Sequence, residues 1–277
     1  MMVIDETVIA LQEMSIMYEV ERKRRILELL QEHQRVDVQG LNQILQVSDS
    51  TIRRDLKELE DQNLLKRTHG GAVPVQNVNF EPTFVEKEIN NSDRKRLIAK
   101  KAVEQIREND VILLDSGTTM LYLAMELKRF RKLTVVTNGI PIAQELEAAE
   151  GIDLILIGGS LRKGILSLVG PFAEQILSQL HVDKAFIGTN AIHAEEGLST
   201  PNIDEATIKR KMIACANKAI LLADSSKIGD VNLVKFAALG DIDLFITDDE
   251  APEERLREIE AKGVEIRIVD GDGGKKA

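Results

Sequence analysis

Five turns in the second half of the chain place small polar residues directly after short apolar runs. They span residues 115–119, 137–139, 158–160, 188–190 and 224–227. Gly117 would let the backbone direct its N–H groups toward an anion, and the hydroxyls of Thr118 and Thr119 add donors at the expected start of a helix. Lys227 would add a positive charge. This chemistry suits a phosphate group.

Other polar residues in this region suit different roles. Asp115 would repel a phosphate, so it suits sugar hydroxyls or the bracing of its own loop. Glu205 and Lys209 lie four residues apart on a predicted helix. They could form an exposed ion pair that stabilises the helix by about 0.2–0.5 kcal/mol, or they could both bind an open-chain sugar. From the residues alone, the candidate effector site comprises Asp115, Ser116, Gly117, Thr118, Thr119, Thr137, Asn138, Gly158, Gly159, Gly188, Thr189, Asn190, Glu205, Lys209 and Lys227.

A separate set of residues suits DNA. On a helical wheel over residues 50–59, an apolar side and a basic side face opposite ways. The apolar side holds Ile52, Leu56 and Leu59, and the other holds Ser50, Arg53, Arg54 and Lys57. A short basic helix after a helix and a tight turn favours insertion into the major groove. The same cations would also fit a solvated face that is paired with Asp55, Glu58 and Asp61.

Residues around this helix extend the candidate DNA surface. Ser50 and Thr51 would donate to phosphate oxygens near the helix start. A predicted hairpin follows and would lie along the DNA backbone as a wing. The candidate DNA-binding residues are Ser48, Ser50, Thr51, Arg53, Arg54, Lys57, Lys66, Arg67 and His69.

The elements that position these residues follow from the apolar pattern. Residues 1–20 read as an N-terminal extension, 21–75 as three helices with a hairpin, 76–91 as a linker, 92–270 as an α/β domain, and 271–277 as a disordered tail. Short apolar strands alternate with helices in the α/β domain, which predicts a parallel sheet covered on both faces. The strands are expected at 111–114, 133–137, 154–157, 185–187, 219–222, 244–247 and 264–269. The fold class is therefore a winged-helix domain followed by a Rossmann-like α/β domain with a mainly parallel sheet, whose turns gather at one edge.

Length and charge agree with this division. The 277 residues suit two domains, and the single cysteine, Cys215, fits a reducing compartment. The net charge is −10, yet residues 21–73 hold 10 Lys or Arg against 9 Asp or Glu, so a local basic face remains available to DNA. We expect a cytoplasmic protein without a membrane span, cofactor or metal site, because the four histidines lack zinc-ligand spacing. Met1, Met14 and Met17 are all possible starts.

Two stretches carry a family resemblance. Residues 47–56, with Thr51-Ile52-Arg53-Arg54-Asp55-Leu56 at their centre, and His69-Gly70-Gly71-Ala72 resemble the DeoR-type winged helix-turn-helix. Residues 115–119, 137–139, 158–162, 197–200, 205–206 and 224–227 are similar to the DeoR-family sensor domain, apart from Ile228, where an aromatic residue is usual. That domain shares its fold with ribose-5-phosphate isomerase, glucosamine-6-phosphate deaminase and CoA transferases.

The resemblance implies a transcriptional regulator. It implies a repressor of a sugar or amino-sugar catabolic operon, controlled by a phosphorylated sugar or polyol, that binds a double-stranded DNA operator as a dimer or tetramer. It also adds Arg162 and Ser199 to the candidate effector site. Two alternatives remain: an isomerase-like or deaminase-like enzyme that uses Glu205 and Lys209 as acid and base, and a DNA-binding protein without a sensing function. We expect residues 74–91 to couple the two domains.

Overall fold

The chain divides into two compact units, residues 1–80 and residues 81–277. The structure, a computed structural model, describes residues 6–62, 64–74 and 81–271. The first five residues of the expected extension, residues 76–80 of the expected linker and residues 272–277 of the expected tail lie outside the described residues.

The described part of the first unit consists of helices and a small antiparallel sheet in the order β1-β3-β2. Its elements are α1 (Glu6–His33), β1 (Val36–Asp37), α2 (Val38–Leu45), α3 (Asp49–Asp61), β2 (Lys66–Thr68) and β3 (Gly71–Val73). Asp37 caps α2 by accepting from the N–H of Gly40, and Ser48 caps α3 by accepting from the N–H of Thr51. Residues 6–20 are helical, as expected of the extension, and continue into the first expected helix as α1. The winged helix-turn-helix prediction is confirmed.

Charged residues join α1 to α3. Asp55 is fully buried and accepts hydrogen bonds from both Nε and Nη2 of Arg22, the latter at 2.9 Å. Lys23, the next residue of α1, pairs with Glu58, three residues after Asp55 on α3. Beside these pairs, the apolar side of α3 packs into a core with α1 and α2. Two of the three acids that would have paired with the basic side of α3 are therefore turned toward α1.

The second unit is built on a seven-stranded sheet in the order β15-β14-β12-β9-β4-β5-β6, in which every neighbouring pair is parallel. Its strands are β4 (Val111–Leu114), β5 (Leu133–Thr137), β6 (Ile152–Leu156), β9 (Val182–Ile187), β12 (Ala216–Leu222), β14 (Leu244–Asp248) and β15 (Glu265–Val269). Each coincides with an expected strand to within a few residues. Apolar cores lie on its two faces, so the parallel-sheet prediction is confirmed.

Helices and two smaller sheets complete this unit. The helices are α4 (Phe84–Ile89), α5 (Ser92–Ala102), α6 (Thr118–Leu127), α7 (Ile140–Leu146), α8 (Pro171–Leu177), α9 (Ile203–Ala214) and α10 (Glu253–Glu260). The added strands are β7 (Ser160–Arg162), β8 (Ser167–Val169), β10 (Ala191–His193), β11 (Gly197–Thr200) and β13 (Val234–Ala237). The β7–β8 hairpin and the antiparallel β10-β11-β13 sheet follow two of the predicted turns and were not anticipated.

The expectation of a linker over residues 76–91 is wrong for its second half. Residues 81–91 belong to the second unit, and α4 lies within them. A capping box begins this helix: Thr83 accepts from the N–H of Glu86, while the Glu86 carboxylate accepts from the N–H of Thr83 at 2.9 Å. Phe84 is buried in the apolar core. We call residues 81–91 the strap.

The buried Asp55–Arg22 pair gives a stability prediction. Asp55→Asn removes the countercharge of Arg22, whose side chain is only 13% exposed, so we expect the free energy of unfolding of the first unit to fall by about 3 kcal/mol. Asp61→Asn, at the exposed end of the same helix, should change it by less than about 0.5 kcal/mol. Urea denaturation of the full chain, followed by circular dichroism, measures both. Equal shifts would mean that the buried pair contributes nothing particular.

Candidate functional site

The candidate DNA surface is the outer side of α3. Arg53, Arg54 and Lys57 are all exposed, and none forms a salt bridge with another described residue. The alternative of a solvated face neutralised by acids on the same helix therefore fails for Asp55 and Glu58, which pair with α1. Three cations on one exposed side can contact phosphates or base edges.

Residues at the start of α3 have a structural role as well. The hydroxyl oxygen of Ser48 accepts from the N–H of Thr51 and lies 2.8 Å from that of Ser50 and 2.9 Å from that of Thr51. Ser48 therefore fixes where the helix begins. Ser50 remains exposed beside it, in the position from which a helix start can donate to phosphate.

The wing is formed by β2 and β3, which pair antiparallel from Lys66 to Val73. Lys66, Arg67 and His69 are exposed on it. Glu60 of α3 accepts from the backbone N–H of Arg67 at 2.8 Å and from its guanidinium Nε at 2.6 Å. This ion pair fixes the wing to the end of the basic helix.

In the second unit, the centre of the candidate site is the edge where β4 and β9 end. Asp115 follows β4 and is buried, and its Oδ2 accepts from the backbone N–H of Gly188 at 2.9 Å and from Nζ of Lys209. Lys209 also donates to the carbonyl of Gly188 at 2.9 Å. Asp115 thus ties two strand ends together, which matches the bracing role considered from the sequence.

Asn138 braces the neighbouring strand end. Its Oδ1 accepts from the backbone N–H of Ser116, and its Nδ2 donates to the carbonyl of Leu168, both at 3.0 Å. Thr137 accepts from the N–H of Gly139 at 3.1 Å. Thr137 and Asn138 were expected to contact the effector through these side-chain groups. In the structure the same groups brace the backbone of the site.

Three further predicted residues also serve the fold. The Thr189 hydroxyl donates toward the carbonyl of Ala191 at 2.9 Å, and the Ser199 hydroxyl accepts from the N–H of Asn232 at 2.8 Å. Gly159 is needed for packing, because a Cβ there would lie 2.5 Å from the carbonyl oxygen of Val169.

Glu205 and Lys209 do not form the exposed pair that their spacing would fit. Both are buried on α9, and each pairs with a residue elsewhere: Lys209 with Asp115, and Glu205 with Arg162 at 2.5 Å. The Glu205 carboxylate also lies 3.3 Å from the hydroxyl of Thr200. The structure therefore supports the interpretation that both point inward.

A residue outside the predicted set completes this network. The Glu81 carboxylate, with a side chain 9% exposed, accepts from Nη2 of Arg162 at 2.8 Å, from Nζ of Lys87 at 2.7 Å and from Nδ2 of Asn190 at 3.3 Å. Burial alone would raise the pKa of Glu81, but Lys87 and Arg162 hold it below its usual value. The sequence contains one indication that this segment is folded, the Thr83–Glu86 capping box that begins two residues after Glu81.

The predicted phosphate loop lies beside the strap. Gly117 has φ of +143°, a conformation that favours glycine, and stands at the start of α6 with open space where a Cβ would be. The first N–H groups of α6 receive no side-chain cap from it. Thr118 is buried, and its hydroxyl lies 3.4 Å from the carbonyl oxygen of Lys87. The glycine turn and the helix start lie where the sequence predicted them, and anion binding there stays a prediction.

Lys227 belongs to a neighbouring cluster. It stands in the turn after β12, where its charge lowers the pKa of the buried Asp224 against the opposing effect of burial. Asp224 also accepts from Asn91 of the strap at 2.9 Å. Nearby, burial lowers the pKa of Lys95 to about 8, and its ammonium group donates to the strap carbonyls of Lys87 and Asn90.

Comparison with known proteins identifies both units. Residues 22–78 match the DeoR-like helix-turn-helix domain, and residues 90–249 match the DeoR C terminal sensor domain. The chain belongs to the DeoR family of transcriptional regulators. The resemblance drawn from its motifs is confirmed, including the prediction of a regulator rather than an enzyme.

Individual DeoR-family relatives align over almost their whole length. The chain is 44% identical to the HTH-type transcriptional regulator GlpR of Haloferax volcanii, over 92% of this chain and 99% of that protein. It is 37% identical to the HTH-type transcriptional repressor GlcR of Bacillus subtilis, over 94% and 100%. Among solved structures, ribose 5-phosphate isomerase A of Methanocaldococcus jannaschii is 23% identical with a TM-score of 0.38, covering 50% of this chain and 55% of that one.

No described helix is both long and apolar enough to cross a membrane. No group of three or more His, Cys, Asp or Glu side chains among the described residues is arranged to hold a metal ion.

The buried Asp115–Lys209 pair gives a second prediction. Asp115→Asn and Lys209→Met should each lower the free energy of unfolding of the second unit by about 3–5 kcal/mol, because each leaves an unpaired buried charge or donor. The double variant should lose clearly less than the sum of the two. Lys211→Met, exposed on the same helix, is the control. Guanidinium chloride unfolding measures all four, and strict additivity would contradict a direct interaction.

Proposed function

We propose that this DeoR-family protein is a repressor of a sugar or amino-sugar catabolic operon, and that a phosphorylated sugar or polyol controls its affinity for DNA. DNA binding is supported by the exposed basic side of α3, whose cations form no salt bridge within the described residues, while Arg22 and Lys23 pair with two of its acids. The observation that carries the effector half is the cluster of anion-binding groups at the sheet edge. One relative is named as a transcriptional repressor, which supports repression rather than activation.

Each part of the DNA surface would have its own role. Arg53 and Arg54 would read base edges in the major groove, where arginine can bind guanine through two hydrogen bonds. Lys57, Ser50 and Thr51 would contact phosphates and set the register. The wing would follow the backbone through Lys66, Arg67 and His69. Because operators are often two-fold symmetric, we propose that the protein binds as a dimer or tetramer.

The effector would bind where the sheet edge, the phosphate loop and α9 meet. A phosphate would accept from the N–H groups at the start of α6 and from Thr118 and Thr119. Lys87 and Arg162 would add positive charge beside this phosphate, and the sugar hydroxyls would lie toward the Glu205 carboxylate, which offers acceptors. The proposed regulator works in the cytoplasm, where it would meet both DNA and its metabolite.

A comparison of two variants tests base reading. Arg54→Ala should weaken specific binding by about 1–3 kcal/mol and relax the sequence preference, whereas Lys66→Ala should weaken specific and random DNA alike. The operator fragment is first selected from a random pool with the wild-type protein. Fluorescence anisotropy then compares it with a scrambled duplex of the same length. If both variants lost affinity equally on the two duplexes, Arg54 would not be a base reader.

A thermal-shift panel tests effector binding. Pentose, hexose, hexosamine and polyol phosphates are compared with the same compounds without phosphate. A true effector at 100 times its Kd should add about 2.7 kcal/mol of stability. Thr118→Val should weaken its binding about tenfold or more because a hydroxyl donor to a charged oxygen is lost.

Thr134→Val is the matched control for this measurement, since Thr134 lies on β5 near the end remote from the candidate site. It should respond to the effector as the wild type does, and both variants should keep operator affinity. If no phosphorylated compound stabilised the wild type, the second unit would not sense sugar phosphates. Loss of DNA binding by Thr118→Val would indicate misfolding instead.

A further inference from the structure

The strap occupies a particular place in the chain. It is the first part of the second unit, and it continues backward in sequence toward the basic helix and its wing. It also contacts most parts of the candidate effector site. Any ligand that displaces the strap therefore acts on the segment that leads directly to the DNA-binding unit.

Glu81 is bound as a ligand would be. Its carboxylate accepts from a guanidinium, an ammonium and an amide, supplied by Arg162, Lys87 and Asn190. Two of these donors, Arg162 and Asn190, lie among the residues predicted to bind the effector. Because the Glu81 side chain is only 9% exposed, little water screens these contacts. An anion-binding position of the site is thus filled by the protein's own carboxylate.

Besides the contacts that Phe84, Lys95 and Asn91 make, the strap touches the phosphate loop and the β7–β8 hairpin. Thr118 and Tyr122, in the first turns of α6, approach strap carbonyl oxygens at 3.4 and 3.5 Å. The N–H of Phe84 donates to the carbonyl of Gly164 at 2.8 Å, in the loop of the β7–β8 hairpin that also carries Arg162. The strap therefore spans both the phosphate loop and the Arg162 hairpin, so movement of either one would be transmitted to it.

We propose that Glu81 is a built-in competitor of the effector: a phosphorylated ligand takes over Arg162 and Lys87, expels Glu81 and loosens the strap. This proposal rests on the proposed function. A phosphate group carries a charge of about −1.5 to −2 and three acceptor oxygens, so it can replace a carboxylate on these donors. A neutral sugar cannot, because it would leave Lys87 without its countercharge and Arg162 with Glu205 alone. Glu81 would therefore also exclude unphosphorylated sugars.

The alternative is that Glu81 only fastens the strap to its domain, as many ion pairs do. The two possibilities predict different effects of removing its charge. A fastening residue, once neutralised, leaves anion affinity unchanged. A competitor, once neutralised, makes anion binding tighter, because the ligand no longer has to displace a charged group.

Isothermal titration of the full-length protein with inorganic phosphate separates these outcomes. Glu81→Gln should bind phosphate about tenfold more tightly than wild type, the size expected when one charge-assisted hydrogen bond need not be displaced. Asp93→Asn, the same chemical change at a side chain 92% exposed in the first turn of α5, should leave the affinity unchanged. Arg162→Gln should weaken it.

A second measurement uses only the wild type, so its result does not depend on whether the variant folds. Saturating phosphate should increase hydrogen exchange of the amides in residues 81–91 and leave α10 unchanged. If wild type and Glu81→Gln bound phosphate equally, or if phosphate slowed exchange in the strap, the competitor role would be overturned while the effector site stood. If neither protein bound phosphate, the proposed effector site itself would fail, and this inference with it.

Discussion

Buried charge must be compensated, and this constraint organises the second unit of the protein. Asp115 is balanced by Lys209, and Glu205 and Glu81 share Arg162, with Lys87 at the far side of Glu81. These groups come from the sheet edge, α9, the β7–β8 hairpin and the strap. The pairs therefore join elements that are distant in sequence into one polar wall. Any ligand that displaced one of these charged side chains would have to supply a charge of the same sign.

The same constraint acts in the first unit with the opposite result. There, two acids of α3 form ion pairs with Arg22 and Lys23 of α1, and the cations of α3 are exposed on its other side. Local net charge in this segment is close to balance, so composition alone gives no strong indication of DNA binding. The basic surface arises because the fold sorts the two signs onto opposite sides of one helix.

The sequence predicted the large elements well because their cause is local. All seven strands of the parallel sheet come from short apolar runs, which are largely buried except in the edge strands β6 and β15. The basic and apolar sides of α3 follow from helical spacing. The strap was missed because Pro82 and the nearby asparagines suggested a linker, although the Thr83–Glu86 capping box was visible. The bracing roles of Asp115 and Asn138 depend on partners 73 and 22–30 residues away. Such partners follow from the register of the sheet rather than from any local pattern. The spacing of Glu205 and Lys209 was equally ambiguous, since only burial distinguishes a surface pair from an inward-facing one.

The division of labour within α3 has an evolutionary consequence. Its stability is supplied by Asp55, Glu58 and the apolar side, whereas Arg53, Arg54 and Lys57 contribute no salt bridge within the described residues. Side chains at the three outer positions can thus diverge without weakening the helix that carries them. Gene duplicates built on this scaffold could acquire new target sites by drift at a few codons, while inheriting an intact metabolite-responsive half.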